Sequence, residues 1–170
     1  MAKAKYKIVV DADIARSAGE TMHPISSSCR KILDLILRNE HKFVACKKLR
    51  REWSDHSSSY ATKWLASMIA RKQVCFVENH DKIATLINSL ELNEKNKAIA
   101  LKDCHIVDVA IENGRFVTSR DDNAKAAFLS ITEIHPFVRG ITWANPVTDF
   151  DALKQKLHDR VHPDALPQFR

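Results

Sequence analysis

Tyr6-Lys7-Ile8-Val9-Val10-Asp11-Ala12-Asp13 is an apolar run that stops on an acid. Three consecutive large aliphatic residues, with no polar alternation, read as a strand covered on both faces, which is the habit of parallel sheets. Similar runs follow at Phe43-Val44-Ala45-Cys46, at residues 74–77, at Phe116-Val117-Thr118 and at Ile141-Thr142-Trp143. Between them, apolar residues recur at helical spacing. Ile32, Leu33, Ile36 and Leu37 stripe a helix opened by His23-Pro24, with Ser26, Ser27 and Ser28 as capping hydroxyls. Trp64, Leu65, Met68 and Ile69 stripe another, entered through Ser57 to Ser59, and Ile83, Leu86, Ile87 and Leu90 a third. Residues 47–55 form a short basic helix, and residues 103–113 a helix that begins at Asp103 and is stopped by Gly114. Short helices follow over residues 123–128 and 150–157. Strands alternating with helices predict the α/β class, a three-layer α/β/α fold around a mostly parallel sheet of four to five strands.

The chain of 170 residues reads as a single domain over residues 1–160, with residues 161–170, which hold Pro163 and Pro167, as a loosely held tail. An apolar fraction of 45% with only 3 glycines and 5 prolines excludes a disordered or fibrous chain. Cys29, Cys46, Cys75 and Cys104 form no C-x-x-C pair, so they read as small buried hydrophobes of a protein in the reducing cytoplasm. The basic N-terminus is followed by no signal-peptide core, and no stretch is long enough to span a membrane, so no membrane partner is expected. A net charge of +6 points towards a polyanion as partner.

Open parallel sheets bind ligands at the carboxyl ends of their strands, and acids collect there. Asp11 directly follows the first strand. Glu52, in Leu49-Arg50-Arg51-Glu52-Trp53, follows the second. Asp103 lies on the side of its helix that carries Ile106, Val107 and Ala110. Asp121 ends Thr118-Ser119-Arg120-Asp121, and Asp122 or Asn123 is at hand to cap the next helix, leaving Asp121 for the crevice. Singly, each acid reads equally as a turn former, an arginine partner or a helix cap. Together they concentrate negative charge that only a cation relieves, and hard oxygen ligands select Mg²⁺ or Mn²⁺. Asp108, about 140° round the helix from Asp103 by the 3.6-residue period, reads as solvated.

Asp13, Thr118 and Ser119 are candidates for supporting the acids. Lys47, Lys48, Arg50 and Arg51 read either as contacts to nucleic-acid phosphates or as a solvated helix face. Trp53, Trp64 and Trp143 fit core packing better than base stacking. His56 and His105 have no second histidine at metal spacing and read as bystanders.

In this order the motifs resemble the PIN-domain ribonuclease family. Asp11-Ala12-Asp13 matches its strand ending in Asp-x-Asp or Asp-x-Asn, Glu52 its acid after the second strand, Asp103 the acid of its later helix, and Thr118-Ser119-Arg120-Asp121 its last strand and acid. The likeness runs over residues 7–128, with Glu40 as the other candidate for the second acid, and covers nothing beyond Phe128. It implies a Rossmann-like fold and an endoribonuclease dependent on Mg²⁺ or Mn²⁺. Asp11, Glu52, Asp103 and Asp121 would be its catalytic acids, and Asp11, Asp103 and Asp121 its metal ligands. It also implies RNA as substrate and, as in toxin–antitoxin toxins, an antitoxin or other protein inhibitor and a homodimer; other members process RNA. Two alternatives stay open. One is a catalytically silent module of the same shape that binds RNA or protein. The other is a phosphatase of the haloacid dehalogenase type, with Asp11 as nucleophile and Asp13 as acid; its downstream acidic pair would have to be Asp149 and Asp151.

Overall fold

A computed structural model describes residues 4–158 and 168–169. Along the chain lie β1 (Lys7–Val10), α1 (Ala12–Ser17), α2 (Pro24–Arg38), β2 (Lys42–Ala45), α3 (Lys47–His56), α4 (Ser59–Ala70) and β3 (Val74–Phe76). They are followed by α5 (Lys82–Ser89), α6 (Glu94–Glu112), β4 (Phe116–Thr118), α7 (Asp122–Ile134), a 3₁₀ turn (Pro136–Val138), β5 (Thr142–Ala144) and α8 (Phe150–His158). The five strands form one sheet in the order β3-β2-β1-β4-β5, and every strand pairing is parallel. The class and layering therefore agree with the α/β/α expectation.

The strand order explains where a site must lie. From β1 the chain steps outwards to β2 and β3, then returns across the sheet to β4 on the other flank of β1. Right-handed crossovers in opposite directions place their helices on opposite faces. Accordingly α1, α2, α3, α4 and α8 pack among themselves, while α6 packs between α5 and α7 and against β1, β2 and β4. Connections leaving β1 and β4 diverge, and a crevice opens between the carboxyl ends of those strands.

Ile8, Val9 and Val10 are fully buried because both faces of β1 are covered, each such side chain contributing roughly 1.5–3 kcal/mol. Phe43, Trp53 and Trp64 stack together under the α1–α4 layer, with ring centroids 4.9–5.8 Å apart. Trp64 Nε1–H donates to Leu33 O at 2.6 Å, and Trp53 Nε1–H to Val10 O at 2.9 Å. Gly114 has φ +95°, and a Cβ there would lie 2.8 Å from the Lys7 carbonyl, so only glycine fits the turn that delivers the chain from α6 to β4.

Several local expectations are corrected. The hydroxyls of Ser26 to Ser28 do not cap α2, because Pro24 at its first turn places them inside the helix. The short helix α1 begins immediately after Asp11, and α7 continues past Phe128 to Ile134. The helix carrying Asp103 starts not there but at Glu94, capped by the Asn93 side chain, which accepts from Asn96 N–H at 2.8 Å. Cys29, Cys46 and Cys104 are buried and Cys75 half-buried, all as free thiols. Residues 161–167 and Arg170 of the expected tail, and residues 159–160 before it, lie outside the described residues. Its remaining pair, Gln168 and Phe169, is held: Phe169 is buried, stacks on Trp143 and bonds through its backbone to Gly140 and Ile141.

Candidate active site

A cleft of about 320 Å³ opens at the carboxyl edge of β1 and β4, lined by Asp11, Asp13, Glu52, Asp103 and Asp121 together with Arg16, His56, Lys102 and Arg120. The acids arrive from four separate segments. Asp11 leaves the end of β1, where its N–H still reaches across to Thr118 O at 3.0 Å. Asp121 leaves the end of β4, and its backbone N–H donates to Ser119 Oγ at 3.0 Å. Glu52 projects from α3, which is pinned beside Asp11 by the bond from Trp53 to Val10. Asp103 comes from the middle of α6.

Hydrogen bonds fix much of this acidic wall. Ser119 Oγ–H donates to Asp11 Oδ2 at 2.7 Å. Arg120 N–H donates to Asp13 Oδ2 at 3.0 Å, while the Arg120 guanidinium bonds Ser17 Oγ at 2.6 Å. Oδ1 of Asp13 is buried without a hydrogen-bond partner among the described residues. Asp121 caps α7 itself, accepting from Ala124 N–H at 2.9 Å, so the assignment of that cap to Asp122 or Asn123 is corrected. One carboxylate oxygen of Asp121 serves the cap while the residue lines the cleft.

The electrostatics follow from burial and crowding. Burial pushes Asp11 above the ordinary carboxylate range, and the Glu52 charge adds to it, although the Ser119 hydroxyl opposes. Burial, reinforced by Asp11, pushes Asp13 up to about 7. Burial raises Asp103 to about 6; Lys102 opposes this, and Asp11 and Asp121 add to it. Glu52 goes the other way. Burial alone would raise it, but the hydrogen bond and charge of His105, with Lys48 and Lys102, hold it below its ordinary value.

The two histidines set aside on sequence grounds are both in place at the site. His56 lines the cleft, and His105, almost wholly buried, meets Glu52 with Nε2 and Oε2 2.9 Å apart. No local pattern links His105 to Glu52, which lies 53 residues away along the chain. Arg16, Lys102 and Arg120 were also missed, being single cations outside any basic run. The basic run itself divides: Lys48 is tied to the Lys102 carbonyl at 2.8 Å, and Arg50 stacks over Phe76 at 4.0 Å, on the far side of α3 from Glu52. Lys47 and Arg51 are exposed. Thr118 is fully buried and its hydroxyl has no partner among the described residues, so it faces the core rather than the cleft. Glu40 pairs with Lys5 away from the cleft. Trp53, Trp64 and Trp143 are core residues.

Asp108 is not solvated. It is buried on α6 and its Oδ1 accepts from Ile83 N–H at 3.0 Å, capping α5. The residue before α5, Asp81, has φ 52° and makes no cap with its own side chain, so the acceptor comes from the neighbouring helix. Asp149 accepts from Asn145 N–H and Asp151 is exposed on α8; neither lines the cleft.

Among the described residues, no group of three or more His, Cys, Asp or Glu side chains stands ready-made around an ion position. The chemistry of the donor set nonetheless fits a hard dication. The donors are carboxylate oxygens, burial makes their charge costly, and one buried oxygen of Asp13 lacks a partner. No helix among the described residues is long and apolar enough to cross a membrane. Comparison with protein-family models, with curated proteins and with solved structures finds no match.

Proposed function

We propose that this chain is a metal-dependent endoribonuclease, the activity its likeness to the PIN-domain family implies. The observation that carries the reading is the convergence of Asp11, Glu52, Asp103 and Asp121, from four segments far apart in the chain, on one cleft at the β1/β4 switch point. Asp11, Asp103 and Asp121 would hold Mg²⁺ or Mn²⁺. When bound, such an ion activates a water and stabilises charge on a phosphodiester.

The chain's own groups supply the rest. Ser119 orients Asp11 by donating to its Oδ2, and the Asp13 backbone N–H adds to that hold. Arg16, Lys102 and Arg120 line the same cleft and suit the phosphates on either side of the scissile bond. Glu52, held as a carboxylate by His105, supplies a fixed negative charge that accepts a hydrogen bond from, and so orients, a water in the cleft. A silent binding module gains nothing from crowding acids where RNA would lie, which favours the catalytic reading. The phosphatase alternative lacks its downstream acidic pair in the cleft.

The test is incubation of the purified protein with single-stranded and structured RNA in Mn²⁺ or Mg²⁺, with and without EDTA. Cleavage that appears with the metal and stops with EDTA is expected. Cleavage that survives chelation contradicts the mechanism, and binding without cleavage favours the silent module.

A further inference from the structure

Glu52 reaches the cleft from α3, a helix rich in exposed basic residues, and among the described residues its side chain has no backbone donor to hold it. Among the described residues its one hydrogen bond is to His105, which lies on α6. His105 is 1% exposed, so its ring is clamped by the core and has little freedom to follow Glu52. Trp53, next to Glu52, is clamped equally by its bond to Val10 O. The two rings thus fix both ends of the Glu52 side chain, its backbone through Trp53 and its carboxylate through His105.

We infer that His105 is a positioning residue, whose Nε2–H aims the Glu52 carboxylate into the cleft and holds it apart from Asp11. This rests on the nuclease reading and adds to it a residue outside the acidic set. A carboxylate only accepts, so the proton between the pair sits on Nε2. Nδ1 is buried with no partner among the described residues. His105 is therefore a donor to Glu52 rather than a metal ligand, and it touches neither substrate nor ion.

Two measurements decide the matter. The first is cleavage by wild type, His105→Gln, His105→Leu and Glu52→Asp in Mn²⁺. Gln keeps an N–H close to the Nε2 position, Leu fills the space without a donor, and Glu52→Asp keeps the charge but withdraws it from His105 by one methylene. His105→Leu and Glu52→Asp are expected to lose kcat by about tenfold to a hundredfold, the range for groups that orient metal-site residues, with KM changed less than about threefold. His105→Gln should return to within a few-fold of wild type. Glu52 is half-buried, so Glu52→Asp remains informative even where His105→Leu does not fold. The second is a double-mutant cycle of Glu52→Gln and His105→Leu in urea unfolding of the metal-free protein, which needs no activity. Non-additive losses of stability are expected.

Wild-type kcat in His105→Leu or in Glu52→Asp, failure of a folded His105→Gln to recover, or strict additivity in the cycle would each overturn the positioning role. A wild type that never cleaves RNA, with coupling still present in the cycle, refutes the nuclease reading and leaves the pairing of Glu52 and His105 standing.

Discussion

Asp103 and Asp108 sit on one helix, five residues apart, and each is 8% exposed. Burial raises the pKa of both. They differ in what meets them. Asp108 receives the Ile83 N–H and completes the start of α5, although the Asp81 and Glu112 charges also raise it and its Oδ2 has no partner among the described residues. Asp103 faces other acids, and Asp11 and Asp121 add to its rise towards 6. A buried carboxylate that closes a backbone hydrogen bond is explained by the fold. One that faces further carboxylates in an open cleft is not, and its cost points to a ligand. The helical offset between them told that they diverge, but not that α5 covers the second.

The comparison is broken most directly by neutralising one acid at a time. Asp11→Asn and Asp121→Asn should each lower RNA cleavage by at least about a hundredfold, the upper end for groups that only support a metal site. Asn remains an acceptor for Ser119 and for the α7 cap, so melting temperatures should hold or rise without metal. Asp108→Asn should cleave as wild type does. If Asp108→Asn is inactive while Asp11→Asn still cuts, the roles are reversed.

Truncation sharpens the same contrast on the stability side. Asp108→Ala strips the cap from α5 and should cost about 1–2 kcal/mol in urea unfolding. Asp103→Ala removes a repelled charge and should cost less than that in metal-free protein, or stabilise it. Equal losses would make Asp103 a structural acid too.

A smaller effect is expected with pH. Asp13 rises from 3.8 to about 7 on folding, so between these values the unfolded chain binds fewer protons than the folded one. Stability contributed by the protonated group is present below about 4 and is lost as pH climbs to 7. His41, lowered by burial, contributes in the opposite direction. The difference between wild type and Asp13→Asn isolates the Asp13 contribution: the variant's advantage in melting temperature should grow from pH 4 to pH 7.5. An advantage independent of pH would contradict the burial argument.

The smallest expected effect lies outside the cleft. Neutralising the exposed Lys47 and Arg51 should flatten the salt dependence of RNA binding by up to about 0.7 per charge, the single-strand value. Arg50 is engaged with Phe76 and should contribute less. An unchanged slope for Lys47 and Arg51 would make α3 a solvated face.

The sheet was legible because strands covered on both faces must be apolar throughout: Ile8-Val9-Val10 and Phe43-Val44-Ala45 admit few other readings. The start of α6 was not, because Glu94, Lys95, Asn96 and Lys97 are polar and the apolar residues that follow, Ala98 to Leu101, are consecutive rather than spaced as a helical stripe. Asp11 and Asp121 were visible from their place after strands. His105 was invisible, since its meaning depends on a partner from another helix, and Phe169 was hidden behind two prolines that say nothing of the Trp143 ring it stacks on.

Calorimetric titration of Mn²⁺ into metal-free protein at pH 6, where the raised acids are still partly protonated, repeated in buffers of different ionisation enthalpy, tests the central claim most directly. Wild type and Asp108→Asn should bind alike and release protons, because acids with raised pKa must ionise to hold the ion. Asp11→Asn should bind at least about tenfold more weakly. Binding by Asp11→Asn as tight as by wild type, or no binding by wild type at millimolar Mn²⁺, would contradict the assignment of this cleft as a metal site.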